Sequence, residues 1–357
     1  MSTLYIDRKN VRLDYDAEAL VFYENNERIG TVPLAPLQRV IIRGNVTVDT
    51  TLLGKMGMHG IGVIILSGKK AEPSLFLPRA HNDATRRIAQ YRAATDVARC
   101  LMLSRFIVRT KLTAQLAFLK SKLDSRPDAR YELTHALQGL GGMLETVAMK
   151  QAVAELRGLE GAAANMYFSA LAALAPASLN FHNRNRRPPR DPLNAVLSLG
   201  YTLLHAEAIL AAHSVGLDPY IGFYHVPAFG RESLASDLVE GLRAEVDAWA
   251  LGLFNGQTLR AEDFSTTQEG CFLGKAGRER FYRAWEPLAE NLRKLMDAQT
   301  RTLIAMIGAG EDDASDAELR QAWAAWASQD NEPGSVTDSD VEPDVAPDAV
   351  PDVASSF

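Results

Sequence analysis

The chain has 357 residues, 47% of them hydrophobic and 23% charged, which is enough apolar material for two globular cores and a tail. No run reads as the roughly 18 apolar residues of a membrane span, MSTLYIDRKN lacks the apolar centre of a signal peptide, and Cys100 and Cys271 lie too far apart for a thiolate zinc site or a disulfide framework. A cytoplasmic chain with reduced cysteines and no membrane partner is expected. The formal net charge of −6 hides an asymmetry, because Glu311–Phe357 carry thirteen acidic residues and one base, Arg320, leaving 37 bases against 31 acids in the body before them.

In chain order, LYIDRKNVRLDY and ALVFYENNERIGTVPL read as strands, with Asn25 and Asn26 at a tight turn because Asn tolerates positive φ. QRVIIRG, IGVIILSG and PSLFLP extend the series, and TTLLGKMGMHG suits a brief helix between them. A small β-rich domain over residues 1–78 follows, with His59 at the surface and His81 in the linker. From Asp83 the pattern turns helical, as one long amphipathic helix or two, and its bases Arg86, Arg87, Arg92, Arg99, Arg105, Arg109 and Lys111 suit either a solvated face or a nucleic-acid surface. Gly139, Gly141 and Gly142 mark an expected helix break.

In LRGLEGAAANMYF, Glu160 is followed by residues too small to cover it. The run fits a close helix contact with Glu160 at its edge, or a carboxylate held beside a neighbouring element. His182, Arg184, Arg186, Arg187 and Arg190 then cluster around two prolines in a loop suited to phosphate or simply to water. Asp191 and Pro192 start a helix that carries Asn194 and Tyr201 on nearly one face and ends at Gly216, with His205 and His213 read as packing residues. In GFYHVPAFGRESLASDLVEGLR, a loop holding His225 leads into a helix from Ser233, where Asp237 and Glu240, three apart, share a face. Folded together, these groups suit a divalent cation, and left apart they form a solvated helix face. Two further helices enclose the hairpin-like TTQEGCFLGKAG, LRQAWAAW suits a short last helix, and the chain from Gln329 reads as disordered. The acidic tail either competes with nucleic acid for the basic body or keeps the chain soluble.

LRGLEGAAANMYF, FHNRNRRPPRDPLNAVLSLGYTLL and GLDPYIGFYHVPAFGRESLASDLVEGLR, in this order, resemble the signature segments of the CRISPR-associated integrase family Cas1, and RRIAQYRA and the N-terminal strands are similar to it too. The resemblance covers residues 1–307. It implies an α+β fold with a β-rich dimerisation domain (1–78) and a larger all-α catalytic domain (79–310); the acidic, mostly disordered tail (311–357) is expected from composition. It further implies a metal-dependent integrase and endonuclease of double-stranded DNA, which inserts protospacer DNA into the CRISPR repeat array through its 3′-hydroxyl ends and also cleaves branched DNA.

The expected partners are a second copy and the Cas2 subunit, in a heterohexamer, and the expected cofactor is Mg²⁺ or Mn²⁺. By residue, the resemblance assigns the metal to Glu160, His225 and Glu240, with Asp237 as an additional catalytic acid, and the DNA path to Tyr167, Asn194, Arg184, Arg186, Arg187 and Arg190. A DNA-binding scaffold with a vestigial metal site is the alternative, and a helical interaction protein without DNA is a third reading.

Overall fold

The structure is a computed structural model that describes residues 2–308 except 69, 80, 82, 83, 186 and 187. Its strands are β1 (Thr3–Asp7), β2 (Val11–Asp16), β3 (Ala19–Glu24), β4 (Glu27–Pro33), β5 (Arg39–Arg43), β6 (Val46–Val48), β7 (Gly62–Ser67), β8 (Glu72–Phe76), β9 (Phe264–Thr267) and β10 (Gly270–Leu273). Its helices are α1 (Thr50–Met58), α2 (Ala84–Thr95), α3 (Val97–Lys120), α4 (Arg130–Thr146), α5 (Val153–Leu174), α6 (Pro192–Ser214), α7 (Ser233–Glu240), α8 (Arg243–Asn255) and α9 (Lys275–Met306). The expected β-rich region followed by a helical region is what forms.

One sheet runs β1-β5-β7-β8, parallel except for β8, and a second runs β4-β3-β2-β6. The β3–β4 turn has Asn25 and Asn26 at φ 51° and 67°, the paired left-handed conformations that a two-residue hairpin needs. Side chains alternate across the first sheet. Val40, Ile42 and Val63 join Leu13 and Leu20 in a core between the sheets, whereas Ile41, Ile64 and Leu66 enter the helical core. A sheet covered on both faces needs apolar residues at successive positions, which is why VIIR and GVIILS carry no polar alternation.

One open alternative is decided and two expectations change. The long helix after Asp83 is two, because Asp96 caps α3 with its carboxylate on the N–H groups of Ala98 and Arg99. The glycines of α4 do not break it: Gly139 instead makes room for Met166 of α5, whose sulfur occupies the space of a Cβ. By length and apolarity alone α6 could cross a membrane, yet most of it is buried as the central helix against α7, α8 and α9. It starts as expected, with Asp191 as cap and Pro192 in the first turn.

The β sheet and the helices meet along a polar seam. Glu207 of α6 pairs with Arg39 at 2.9 Å and Arg293 at 3.1 Å, and Glu286 of α9 accepts from Ser2 at 2.7 Å and Tyr5 at 2.8 Å. Contacts group Met1–Gly310 as one compact unit; the tail, with the expected LRQAWAAW helix and disorder, lies outside the described residues.

Candidate active site

The loop that carries His225 is built against the first turns of α7. A Cβ on Gly222 would stand 2.6 Å from the Ser233 carbonyl carbon and 2.9 Å from Asp237 Oδ2, so only glycine lets the backbone lie there. Asp237, 2% exposed, then supplies the acceptors that this buried loop needs. Its Oδ2 accepts the N–H groups of Phe223 (2.6 Å) and Tyr224 (3.1 Å). Its Oδ1 accepts the His225 N–H (2.9 Å) and pairs with His225 Nδ1 (2.7 Å). Asp237 is therefore filled, and it leaves Nε2 as the imidazole nitrogen available to a ligand.

The helical spacing of Asp237 and Glu240 suggests that both point at one spot. They do not, because Asp237 turns to the loop while Glu240 turns toward α3. There Lys111, 8% exposed, donates from Nζ to Glu160 Oε1 of α5 and lies 2.6 Å from Glu240 Oε2. That second contact is off-axis, since Glu240 Oε2 has no hydrogen bond of good geometry. Glu240 Oε1 accepts from Arg243 Nε at 3.0 Å, and Tyr224 Oη reaches Glu160 Oε2 at 3.4 Å.

Burial alone would push the Glu240 carboxyl up, but Arg243 and Lys111 outweigh it and hold the group well below the usual carboxylate range. Burial likewise disfavours the Lys111 ammonium, and Glu240 and Glu160 overcome that and raise it. His225 also helps hold Glu240 ionised.

Glu160 and Glu240, eighty residues apart in sequence, thus converge on one cation position. Among the described residues no three His, Cys, Asp or Glu side chains form a ready-made metal cluster. The donor chemistry nevertheless fits a hard divalent ion: two carboxylates from separate helices, one with a buried oxygen short of a hydrogen bond, beside an oriented imidazole.

Behind this site, Tyr167 and Tyr201 both donate to Asp247, Tyr167 at 2.7 Å. Burial pushes the Asp247 carboxyl up to about 6, against the lowering effect of those bonds. The guanidinium of Arg243 lies 4.7 Å and that of Arg184 5.4 Å from the centre of the Tyr201 ring.

Two DNA-path expectations are corrected by burial. Tyr167 is wholly enclosed, with its hydroxyl given to Asp247, and Asn194 is wholly enclosed, accepting from Arg184 (2.8 Å) and the Asn185 N–H (3.0 Å) and donating to Asp191 (2.6 Å). Both are scaffold. Arg184 also turns inward, toward Asn194 and Ser198, whereas Arg190 is exposed; Arg186 and Arg187 lie outside the described residues.

The residue patterns missed Arg243 and Asp247, and they placed Lys111 on a solvated or nucleic-acid-binding face, whereas it is buried between two carboxylates. Lys111 sits in the buried stripe Ser104–Val108–Lys111–Gln115, and a lysine in such a stripe is the signal that was there to read. Of the other bases placed on that face, Arg86 and Arg105 donate to backbone carbonyls of Val215 and Lys150.

The sequence profile described as CRISPR associated protein Cas1 matches residues 4–287. A protein of Thermodesulfovibrio yellowstonii named CRISPR-associated endonuclease Cas1 1 is 37% identical over 298 residues, covering 83% of this chain and 93% of the relative. Among solved structures, a casposase bound to integration product superposes with a TM-score of 0.74 at 21% identity, over 91% of this chain and all of that one. A Cas6-RT-Cas1–Cas2 complex gives 0.71 at 22% identity, over 86% of this chain and 35% of its own. At these identities the structural likeness speaks to the fold.

Proposed function

The chain belongs to the CRISPR-associated protein Cas1 family, and from that premise we propose that it is a metal-dependent DNA integrase and endonuclease of CRISPR adaptation. The observation that carries the reading is the meeting of Glu160 and Glu240 on one cation position, with His225 oriented beside them by Asp237. Glu160, Glu240 and His225 Nε2 would hold Mg²⁺ or Mn²⁺, which supplies charge neutralisation at the phosphate and a lower pKa for the attacking hydroxyl.

In integration, the 3′-oxygen of the incoming strand bonds to a phosphorus of the repeat. The bond from that phosphorus to the old 3′-oxygen breaks, and the proton of the attacking hydroxyl passes in balance to the departing oxygen. Cleavage of branched DNA is the same displacement with water as attacker. Asp237 keeps the His225 ring in one orientation throughout, and Arg243 keeps Glu240 ionised. Arg190, exposed just before α6, is suited to hold a phosphate, and Arg186 and Arg187 belong to the same proposed path.

Duplex DNA, a second copy and a Cas2 subunit in a heterohexamer are the proposed partners, supported by fold neighbours solved with integration product and with Cas2. A cytoplasmic location suits that substrate. Glu160→Ala or His225→Ala should each abolish joining of a 3′-hydroxyl duplex to a repeat substrate while circular dichroism stays as in the wild type. Full joining by either variant rejects the assignment.

The Lys111 ammonium between the two carboxylates favours one other reading, a DNA-binding scaffold whose site is satisfied internally. A cleavage assay on branched duplex with and without Mn²⁺ separates them: salt-sensitive binding with no metal-dependent product supports the scaffold.

A further inference from the structure

Lys111 comes from the middle of α3, yet its ammonium ends where carboxylates from α5 and α7 converge. A buried ammonium is costly unless paired, and a buried carboxylate, Glu240, facing a half-buried one, Glu160, is costly unless a cation lies between them. Each side therefore explains the other. With the lysine in place Glu160 and Glu240 are bridged by one ammonium; with no cation there, two carboxylates would face each other.

We propose that Lys111 is an internal occupant of the cation seat, competing with the divalent ion for Glu160 and Glu240. The inference rests on the metal reading above and adds the residue that sets how tightly the ion is held. A doubly charged ion can take the two carboxylates only if the ammonium moves off them. The structure offers it a second position. Gln115 stands one turn further along α3 in the same buried stripe, is 4% exposed, and has an Oε1 with no hydrogen-bond partner.

Residues four apart on a helix are neighbours, so a Lys111 side chain that swings off the carboxylates along α3 comes next to Gln115. Gln115 Oε1 is then the acceptor that receives the ammonium when the carboxylates are taken. Lys111 acts on the reaction through the ligands, as a positioning residue. A purely structural lysine would leave metal affinity unchanged or lower when removed, whereas a competitor raises it.

The test is Mn²⁺ binding to the full-length protein, measured by calorimetry or by electron paramagnetic resonance of free Mn²⁺. Lys111→Met should melt at lower temperature than wild type without metal, recover with Mn²⁺, and bind Mn²⁺ about tenfold or more tightly. Gln115→Leu keeps the lysine but removes its second position, and should bind Mn²⁺ several-fold more weakly with an unchanged melt in metal-free buffer. It also serves as the test if Lys111→Met does not fold. Mn²⁺ bound by the wild type and no more tightly by Lys111→Met, or unchanged affinity in Gln115→Leu, overturns the competition. Absence of binding by the wild type as well as by Lys111→Met overturns the metal reading with it.

Discussion

Asp247 shows what burial does to one side chain. Enclosed between two tyrosine hydroxyls, it holds its proton up to about pH 6, above the ordinary aspartate value of 3.8. A carboxyl raised in the folded state favours folding most below its unfolded pKa, and that contribution is lost as pH climbs through the folded one. Wild-type stability should therefore fall between about pH 4 and pH 6.5 relative to Asp247→Asn, by on the order of 3 kcal/mol, and run parallel above that window. Melting temperatures of the two proteins across pH 4–8 check it; parallel profiles throughout would mean that Asp247 titrates normally.

At this scale the sequence was only partly readable. The order of Glu160, His225, Asp237 and Glu240 was visible, but their division of labour was not. Asp237 is taken by three backbone N–H groups of its loop, a demand set by where the loop lies rather than by helical spacing. Lys111 was read as a base of an exposed face because its partner Glu160, 49 residues away, is chosen by packing, whereas Arg243, three residues after Glu240, was readable as a local pair and was overlooked.

Among the elements, α7 and the loop before it act as one piece, joined through Gly222. Gly222→Ala would drive a methyl into the Ser233 backbone and Asp237. The expected cost is about 1–3 kcal/mol of stability, together with a loss of DNA joining larger than that destabilisation explains, because the His225 backbone moves with the loop. Urea melts and a joining assay at a temperature where the variant stays folded measure both, and a variant as stable and as active as wild type contradicts this packing.

Strands and most helices were legible because burial imposes their patterns: short continuous apolar runs in β5 and β7, and a period of three to four in α9. The break at Asp96 was readable as a cap and was overlooked. The continuity of α4 through Gly139 was not readable, since it depends on Met166 of a different helix.

For the molecule as a whole, the polar seam of Arg39, Glu207, Glu286 and Arg293 fixes the helices to the first sheet. Arg293 has 12% of its side-chain surface exposed and Glu207 5%, so removing the guanidinium leaves a buried carboxylate with Arg39 alone. Arg293→Met should cost about 3–5 kcal/mol in a denaturant melt. A loss below 1 kcal/mol would show that Arg39 suffices. The seam also sets an order of events during synthesis. Ser2 leaves the ribosome 284 positions ahead of its partner Glu286. At about 5–20 residues per second that is a wait of roughly 15–60 s. The N-terminal sheet can pair long before, but its join to the helices closes only when α9 emerges. A chain cut short before Glu286 displays Tyr5 without its acceptor and leaves Glu207 with Arg39 alone, so α9 is the element that closes the seam.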